Sequence, residues 1–266
     1  MRFKQYINEL YKENRTKSIT VDEAIDGIVK NCKKNFKSIY VTGSKMPIYR
    51  GNNGPYYGFI DTNTGEPRVS ANTENYYTLL FDNLPSWKTF PKRSRGLVCS
   101  TEDETAGEYG NRVYHVIPYD NSLIGICPKS DIWMSFGSVM NGDDVTGFND
   151  WLSKALKLHG VKVPDNWSEL VSSIMELDKI YKSGNAVESD DMRDRYDNFS
   201  VENFGIFTKD GHPMDILNKI FDPKKNGFKI GINNLKADRE VWIQGKCILV
   251  DDADIDGVIK GVIDEI

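Results

Sequence analysis

Three short segments combine residue types that could bind or transform a substrate, and the first is Tyr49-Arg50-Gly51. Here an arginine ends a predicted extended piece, and the glycine opens a turn rich in Gly and Asn. A guanidinium presents a planar fork that matches phosphate oxygens, and glycine lets a ligand approach the backbone closely. The segment therefore indicates an anion-binding corner. The alternative is a surface arginine before an ordinary turn.

The second segment is Ser100-Thr101, two hydroxyl residues at the end of an apolar stretch that begins at Gly96. This stretch predicts a buried strand, and hydroxyls at its end could orient a carboxylate on a neighbouring strand. The alternative is that both residues start a turn or cap the next segment, positions that Ser and Thr favour.

The third segment is Asp238-Arg239-Glu240, at the start of the predicted last strand. Side chains two residues apart on an extended chain point to the same side. We therefore expect two neighbouring carboxylates, whose mutual repulsion a cation or a bound substrate between them would relieve. The alternative is a solvated loop whose charges face water.

In this order along the chain, the three segments resemble the motifs of the mono-ADP-ribosyltransferase family of the arginine-serine-glutamate class, in its phage-type form. The stretch 87–101 is similar to the approach to that family's Ser-Thr-Ser strand, and 113–118 to the strand after it. Residues 240–250 are similar to the glutamate strand and its partner turn. The resemblance covers about residues 37–250, with an unmatched insertion between about 140 and 225.

The resemblance implies that NAD⁺ is the substrate and that no metal is needed. Arg50 would hold the NAD⁺ phosphates and the framework of the site, and backbone groups of Gly51 would hold the nicotinamide amide. Tyr49 and Thr101 would complete the NAD⁺-binding set, with Thr101 at the second position of the Ser-Thr-Ser motif.

The resemblance also implies the catalytic residues. Glu240 would bind a ribose hydroxyl and stabilise the oxocarbenium-like transition state, Ser100 would orient Glu240, and Asp238 would help to activate the acceptor. The expected activity is transfer of ADP-ribose to a host macromolecule, with a protein as the expected acceptor and a nucleic acid as the other candidate.

Two residues depart from the family pattern. Asp238 replaces the usual Glu or Gln, and Glu102 stands where a second serine is common. These departures leave the acceptor open and keep two alternatives in place. One is a non-catalytic phage internal or inhibitory protein on a degenerate transferase scaffold, and the other is an NAD⁺ glycohydrolase that uses water as the acceptor.

Composition limits the remaining function classes. The net charge of −5 and a pI near 5.4 argue against a generally basic nucleic-acid binder. The four cysteines lack a CxxC pair, so we expect reduced, buried thiols, and the three histidines lack ligand spacing, so we expect no metal site. The absence of a long apolar run predicts no membrane span.

The element pattern predicts an α+β fold: helices first, a strand-rich middle, a helical insertion and a final strand. No GxGxxG follows a strand, which disfavours a Rossmann fold. The resemblance implies an ADP-ribosyltransferase-like split β-sandwich with flanking helices. We expect an N-terminal helical segment over 1–36 and the transferase-like domain over 37–266, with the helical insertion at about 145–221.

Local patterns predict the individual elements. Thr20 and Glu23 form a capping-box pattern at the start of a helix. Alternation and periodicity predict further elements: strands over 38–42, 46–50, 96–101, 112–118, 122–127 and 132–136, helices over 72–84, 148–156, 167–175 and 214–221, a polar loop over 183–200, and one long last strand over 240–250.

The first nine residues resemble the capsid-targeting leaders of tailed bacteriophages, which a prohead protease cuts after an Ile-x-Glu. This resemblance implies a protein that is packaged in the phage head and acts in the host cytoplasm. The alternative is an ordinary amphipathic helix over 2–12.

Overall fold

The computed structural model describes residues 16–43, 46–69, 74–136, 146–187, 207 and 211–266. The chain divides into two units. The sheet unit consists of the described residues of 1–72, 90–131 and 228–266, and the helical unit of those of 73–89 and 132–227. Described residues of the expected N-terminal segment belong to the sheet unit, and those of the expected insertion belong to the helical unit.

The described part of the sheet unit forms a nine-stranded sheet in which every strand pair is antiparallel. The strands are β1 (Thr16–Ser18), β2 (Tyr49–Asn52), β3 (Tyr57–Asp61), β4 (Leu97–Ser100), β5 (Arg112–Pro118), β6 (Leu123–Ile126), β7 (Lys229–Ile230), β8 (Glu240–Gln244) and β9 (Lys246–Asp251). Their order across the sheet is β1-β3-β9-β5-β2-β4-β8-β6-β7. With the helices below, this confirms the predicted α+β class.

Eight α-helices lie within the described residues. They are α1 (Val21–Asn31), α2 (Lys33–Phe36), α3 (Tyr76–Asn83), α4 (Asp103–Gly107), α5 (Thr146–Leu158), α6 (Trp167–Lys182), α7 (Pro213–Ile220) and α8 (Ile255–Glu265). The predicted capping box starts α1: Thr20 Oγ1 accepts from the Glu23 backbone N–H, and the Glu23 carboxylate accepts from the Thr20 backbone N–H.

One buried cluster joins strands from both sides of β2. It takes Cys247 and Leu249 from β9 on one side and Val241 and Ile243 from β8 on the other. These four residues therefore belong to one core although they lie on two strands. Alternation turns Ile248 and Val250 the other way, against α1 and α8. The sheet is therefore buried on both faces along β9.

The helical unit has an aromatic core. Trp87 Nε1 donates to the Phe221 carbonyl oxygen at 2.7 Å, and the Tyr77 hydroxyl accepts from the Asn149 backbone N–H at 3.0 Å. These bonds satisfy the polar ends of buried aromatic side chains, which is what stable burial of Trp and Tyr requires. The helices predicted at 148–156, 167–175 and 214–221 are confirmed as α5, α6 and α7, and α3 confirms the described part of 72–84.

Two predicted strands are wrong. Residues 37–41 form a π-helix that continues α2, and the Thr42 backbone N–H donates to the Lys37 carbonyl oxygen at 2.8 Å. Residues Trp133–Phe136 form a 3₁₀ turn. Both segments are short apolar runs, and periodicity does not separate a strand from a helical turn at this length.

The predicted single last strand is two strands. Gly245 has φ = 132°, a value that favours glycine, and it turns the chain between β8 and β9. As a result β8 pairs with β4 and β6, whereas β9 pairs with β3 and β5. The predicted leader, the predicted helix over 2–12 and most of the predicted polar loop over 183–200 lie outside the described residues.

Candidate functional site

The three predicted segments lie on adjacent strands of the sheet unit. Tyr49 of β2 is the cross-strand partner of Ser100 of β4, and Ser100 is the partner of Glu240 of β8. Directly opposed residues point to the same face of a sheet, with Cβ atoms about 5 Å apart. Tyr49, Ser100 and Glu240 therefore form a row across one face.

Arg50 follows Tyr49, so the alternation of strand side chains turns it to the opposite face, the face of Ile48 and Tyr114 in the core. Its Nη1 donates to the carbonyl oxygen of Val98 in β4. The pairing of β2 with β4 comprises a single residue pair, so this bond adds a second link between the two strands. The structure thus brings Arg50 against β4, but not onto the face of Ser100 and Glu240.

Glu240 is held in a buried ion pair that the sequence did not predict. Its Oε1 lies 2.5 Å from Nη1 of Arg93, and the two residues are 9% and 6% exposed. The main chain of Glu240 is also fixed, because its N–H donates to the Lys129 carbonyl oxygen and its own carbonyl accepts from the Cys127 N–H. Arg93 lies within the basic stretch 92–95, which is typical of a solvated surface, so no sequence signal singled it out.

The rings of Trp242 and Phe90 form an aromatic wall beside this ion pair. Trp242 lies two residues beyond Glu240 on the same face of β8, and the Arg93 guanidinium lies 5.8 Å from the centre of its ring. The Trp242 Nε1 donates to the Pro91 carbonyl oxygen at 2.8 Å, and Phe90 stacks on the ring at 6.4 Å. The ring is therefore held in one position, and it restricts where the guanidinium can lie.

Thr101 and Glu102 join the end of β4 to the turn before β8. The Thr101 Oγ1 accepts from the Arg239 N–H at 2.9 Å, and the Thr101 N–H donates to the Arg239 carbonyl oxygen at 3.0 Å. The Glu102 carboxylate accepts from the Asp238 N–H at 2.8 Å. Glu102, which departs from the family pattern, thus has a structural role in this turn.

The expectation of an extended chain from Asp238 to Glu240 is wrong. Asp238 has φ = 54°, and among the described residues it is the one non-glycine residue with positive φ. Such a left-handed residue reverses the local course of the chain, so the period-two argument for adjacent carboxylates does not hold at this position. The Asp238 residue is exposed, whereas Glu240 is buried.

Gly51 is buried where α4 approaches β2. A Cβ on this residue would overlap the Ala106 carbonyl oxygen and crowd the backbone of Tyr109 and Gly110. The close approach of two chain segments therefore explains the glycine at position 51, and its place beside a ligand is not needed to account for it.

A histidine that the sequence did not predict extends the polar row. His115 of β5 is the cross-strand partner of Tyr49, and their rings meet edge to face at 4.8 Å. Its Nε2 lies 2.9 Å from Asp252 Oδ1 and its Nδ1 lies 2.8 Å from the Tyr40 hydroxyl. A carboxylate only accepts, so Nε2 carries the proton and Nδ1 accepts from Tyr40.

Burial shifts the pKa values of His115 and Tyr49. It lowers the pKa of His115, and the nearby Asp252 carboxylate opposes the shift. Burial also raises the pKa of Tyr49, and the charges of Asp103 and Asp252 act in the same direction. Both side chains are therefore neutral near pH 7 and contribute hydrogen-bonding and packing groups to the site.

Cys99 precedes Ser100 on β4, and its thiol is buried. Burial raises the pKa of Cys99 to about 12, and the charges of Arg50, Glu240 and Arg93 all act on this thiol. The thiol points into the core and is protonated at neutral pH, so it is not a nucleophile here.

Within the described ranges, no group of three or more His, Cys, Asp or Glu side chains is placed to hold a metal ion. In the same part of the chain, no helix has both the length and the apolar character to span a bilayer.

No family model matches the chain, and neither a curated protein nor a solved structure matches it.

Proposed function

We propose that the protein is a mono-ADP-ribosyltransferase that cleaves NAD⁺ at the nicotinamide–ribose bond and transfers ADP-ribose to a host macromolecule, with a protein as the first candidate acceptor. The observation that carries the proposal is the direct opposition of Ser100 and Glu240 on neighbouring strands, with Tyr49-Arg50 on the next strand. The three segments whose order resembles the family motifs are thus neighbours in one sheet.

The proposed chemistry needs one fixed negative charge. When the glycosidic bond breaks, its electrons leave with neutral nicotinamide and positive charge develops on the ribose. An unpaired carboxylate about 4 Å from this charge stabilises it by about 4 kcal/mol at an effective dielectric constant of about 20, which corresponds to about a thousandfold in rate. This value is the upper limit for Glu240, because the positive charge of the Arg93 guanidinium acts in the opposite direction. The acceptor then forms the new bond to the ribose carbon and releases its proton.

We assign the role of this charge to Glu240, because a buried carboxylate on a paired strand is preorganised. Ser100 lies directly opposite Glu240, and we assign it the role of orienting this carboxylate. Asp238, exposed at the start of the same segment, takes the role of acceptor activation. Of the two roles expected for Arg50, we assign it the structural one, because its guanidinium links β2 to β4.

The hydrogen bond of Glu102 gives its departure from the family pattern a structural reason. A serine at this position could not reach the Asp238 N–H in the same way as the longer carboxylate does. The departure from the family pattern thus serves the turn that precedes Glu240. Asp238 at positive φ fits the same reasoning, because Asp is one of the residues that tolerates this conformation.

The test is incubation of the protein with NAD⁺ carrying a tag on adenine, in the presence of host lysate, with Glu240→Gln as the matched inactive control. Tagged protein that depends on Glu240 supports the proposal, and tagged nucleic acid supports the transferase with the other acceptor class. Nicotinamide release without a tagged macromolecule replaces the proposal with a glycohydrolase. No loss of NAD⁺ with or without lysate refutes the enzymatic proposal.

A further inference from the structure

The ion pair between Arg93 and Glu240 is unusual in its burial. Few charged side chains are buried to this degree without a partner of opposite charge, because desolvation of an isolated ion costs far more than a fold can offset. Arg93 supplies that partner to the Oε1 oxygen of Glu240. The low exposure of the Glu240 carboxylate therefore depends on Arg93.

Arg93 is itself fixed from several directions. It begins a 3₁₀ turn, Arg93–Arg95, that leads directly into β4 through Gly96. A Cβ at Gly96 would crowd the Trp242 side chain, so the turn packs closely on the aromatic wall. Trp242 lies below the Arg93 guanidinium at a distance typical of a cation–π contact.

Two more residues hold the Trp242 ring. Phe228 meets it edge to face at 6.2 Å, and Gly125 of β6 lies directly opposite Trp242 in the ladder. The chain of contacts runs from the sheet through Trp242 to the Arg93 guanidinium and then to Glu240. Side chains supported in this way keep a functional group within a fraction of an ångström of one position.

We infer that Arg93 is a positioning residue for the reaction: it holds the Glu240 carboxylate through Oε1 in the orientation that stabilises the developing charge on the ribose. This inference rests on the proposed function. Arg93 acts through Glu240 and not on the substrate, so its loss falls on the transition state more than on the binding of NAD⁺.

The first arm of the test is kinetic and uses Arg93→Met, Arg93→Lys and Arg95→Met, with nicotinamide release as the assay and rates expressed per folded molecule. Arg95 is the matched control because it lies in the same turn but donates to the Gly65 carbonyl oxygen. We expect Arg93→Met to lower kcat by about a hundredfold with the KM for NAD⁺ changed by less than about threefold. Arg93→Lys should retain part of the lost kcat, since it keeps the charge without the fork.

A kcat for folded Arg93→Met within about twofold of that of Arg95→Met overturns the inference, because a purely structural arginine changes stability and not kcat. An effect of Arg93→Met on KM alone, with kcat unchanged, also overturns the inference. If Arg93→Met does not fold, Arg93→Lys decides the question by the same split between kcat and KM.

The second arm needs no activity. Urea unfolding of Arg93→Met, Glu240→Gln and the double variant measures whether the two side chains are coupled. We expect the double variant to lose less than the sum of the two single losses, because each single change leaves one buried partner without its counterpart. Additive losses overturn the ion pair, and with it the inference. If the variants show coupling but the wild-type protein consumes no NAD⁺, the proposed function and the positioning role of Arg93 are overturned, while the ion pair stands.

Discussion

Gly125 offers a sharp test of the packing that supports Glu240. It lies opposite Trp242 in the β6–β8 ladder, and a Cβ on Gly125 would overlap the six-membered part of the indole ring. Ordinary carbon contacts lie at about 3.5–4.0 Å, so in Gly125→Ala the ring has to retreat by about 1 Å. The ring is pinned by the Pro91 carbonyl oxygen and by Phe90, so it has little room to do so.

The expected cost follows from this overlap. Forcing one methyl group into a well-packed site costs about 1–3 kcal/mol of the free energy of unfolding. For a chain of this size, such a loss lowers Tm by about 2–12 °C. The assay is urea unfolding followed by the fluorescence of tryptophan, with thermal unfolding as the second measurement.

The matched control is Gly257→Ala in α8. Its Cβ would meet no atom within 4 Å, and the residue lies in a helix, where alanine is favoured over glycine by about 1 kcal/mol. We therefore expect Gly257→Ala to raise the free energy of unfolding while Gly125→Ala lowers it. A Gly125→Ala protein as stable as the wild type would refute the close packing of Trp242 against β6. The argument that Trp242 holds Arg93 in one position depends on this packing.

Three further predictions concern charge and titration. Glu240→Gln should lower kcat for nicotinamide release by between about tenfold and about a thousandfold, and a decrease of less than about tenfold would show that the carboxylate is not the stabilising charge. Burial lowers the pKa of His115 from its usual 6.5, so its contribution to the free energy of unfolding is complete above pH 6.5 and declines as pH falls below it. Urea titrations from pH 7.5 to 5 should show this decline and should show a shallower one for His115→Gln; equal slopes would contradict the assignment. All four cysteines are buried, and burial raises the pKa of Cys99 to about 12, so a thiol reagent at pH 8 should label the unfolded chain and leave the native one unlabelled.

Local elements were predictable because their causes are local. The capping box at Thr20 and Glu23 depends on residues three apart, and it forms as predicted. The strands β4, β5 and β6 follow from alternating or apolar runs bounded by turn residues, and they occur at the predicted positions within one or two residues. Segments 38–42 and 132–136 were predicted wrongly because short apolar runs satisfy both periods.

The candidate site, like the fold, was predictable only in part. Ser100 and Glu240 stood out by residue type, and their order along the chain predicted that they lie in one site. Their direct opposition is a matter of register, which depends on the pairing of β4 with β8. Likewise the face of Arg50 follows from its place beside Tyr49 in β2, and residue type alone could not assign it.

What the sequence determined by itself is the α+β class, several helices and strands, and the three segments whose residue types could do chemistry, because each depends on patterns within a few residues. Only the tertiary structure decided that Arg93 pairs with Glu240, that His115 joins Tyr40 to Asp252, and that Asp238 leaves the extended course. An ion pair or a hydrogen bond between distant segments is set by packing and register. Packing and register between distant segments cannot be read from the spacing of residues along the chain.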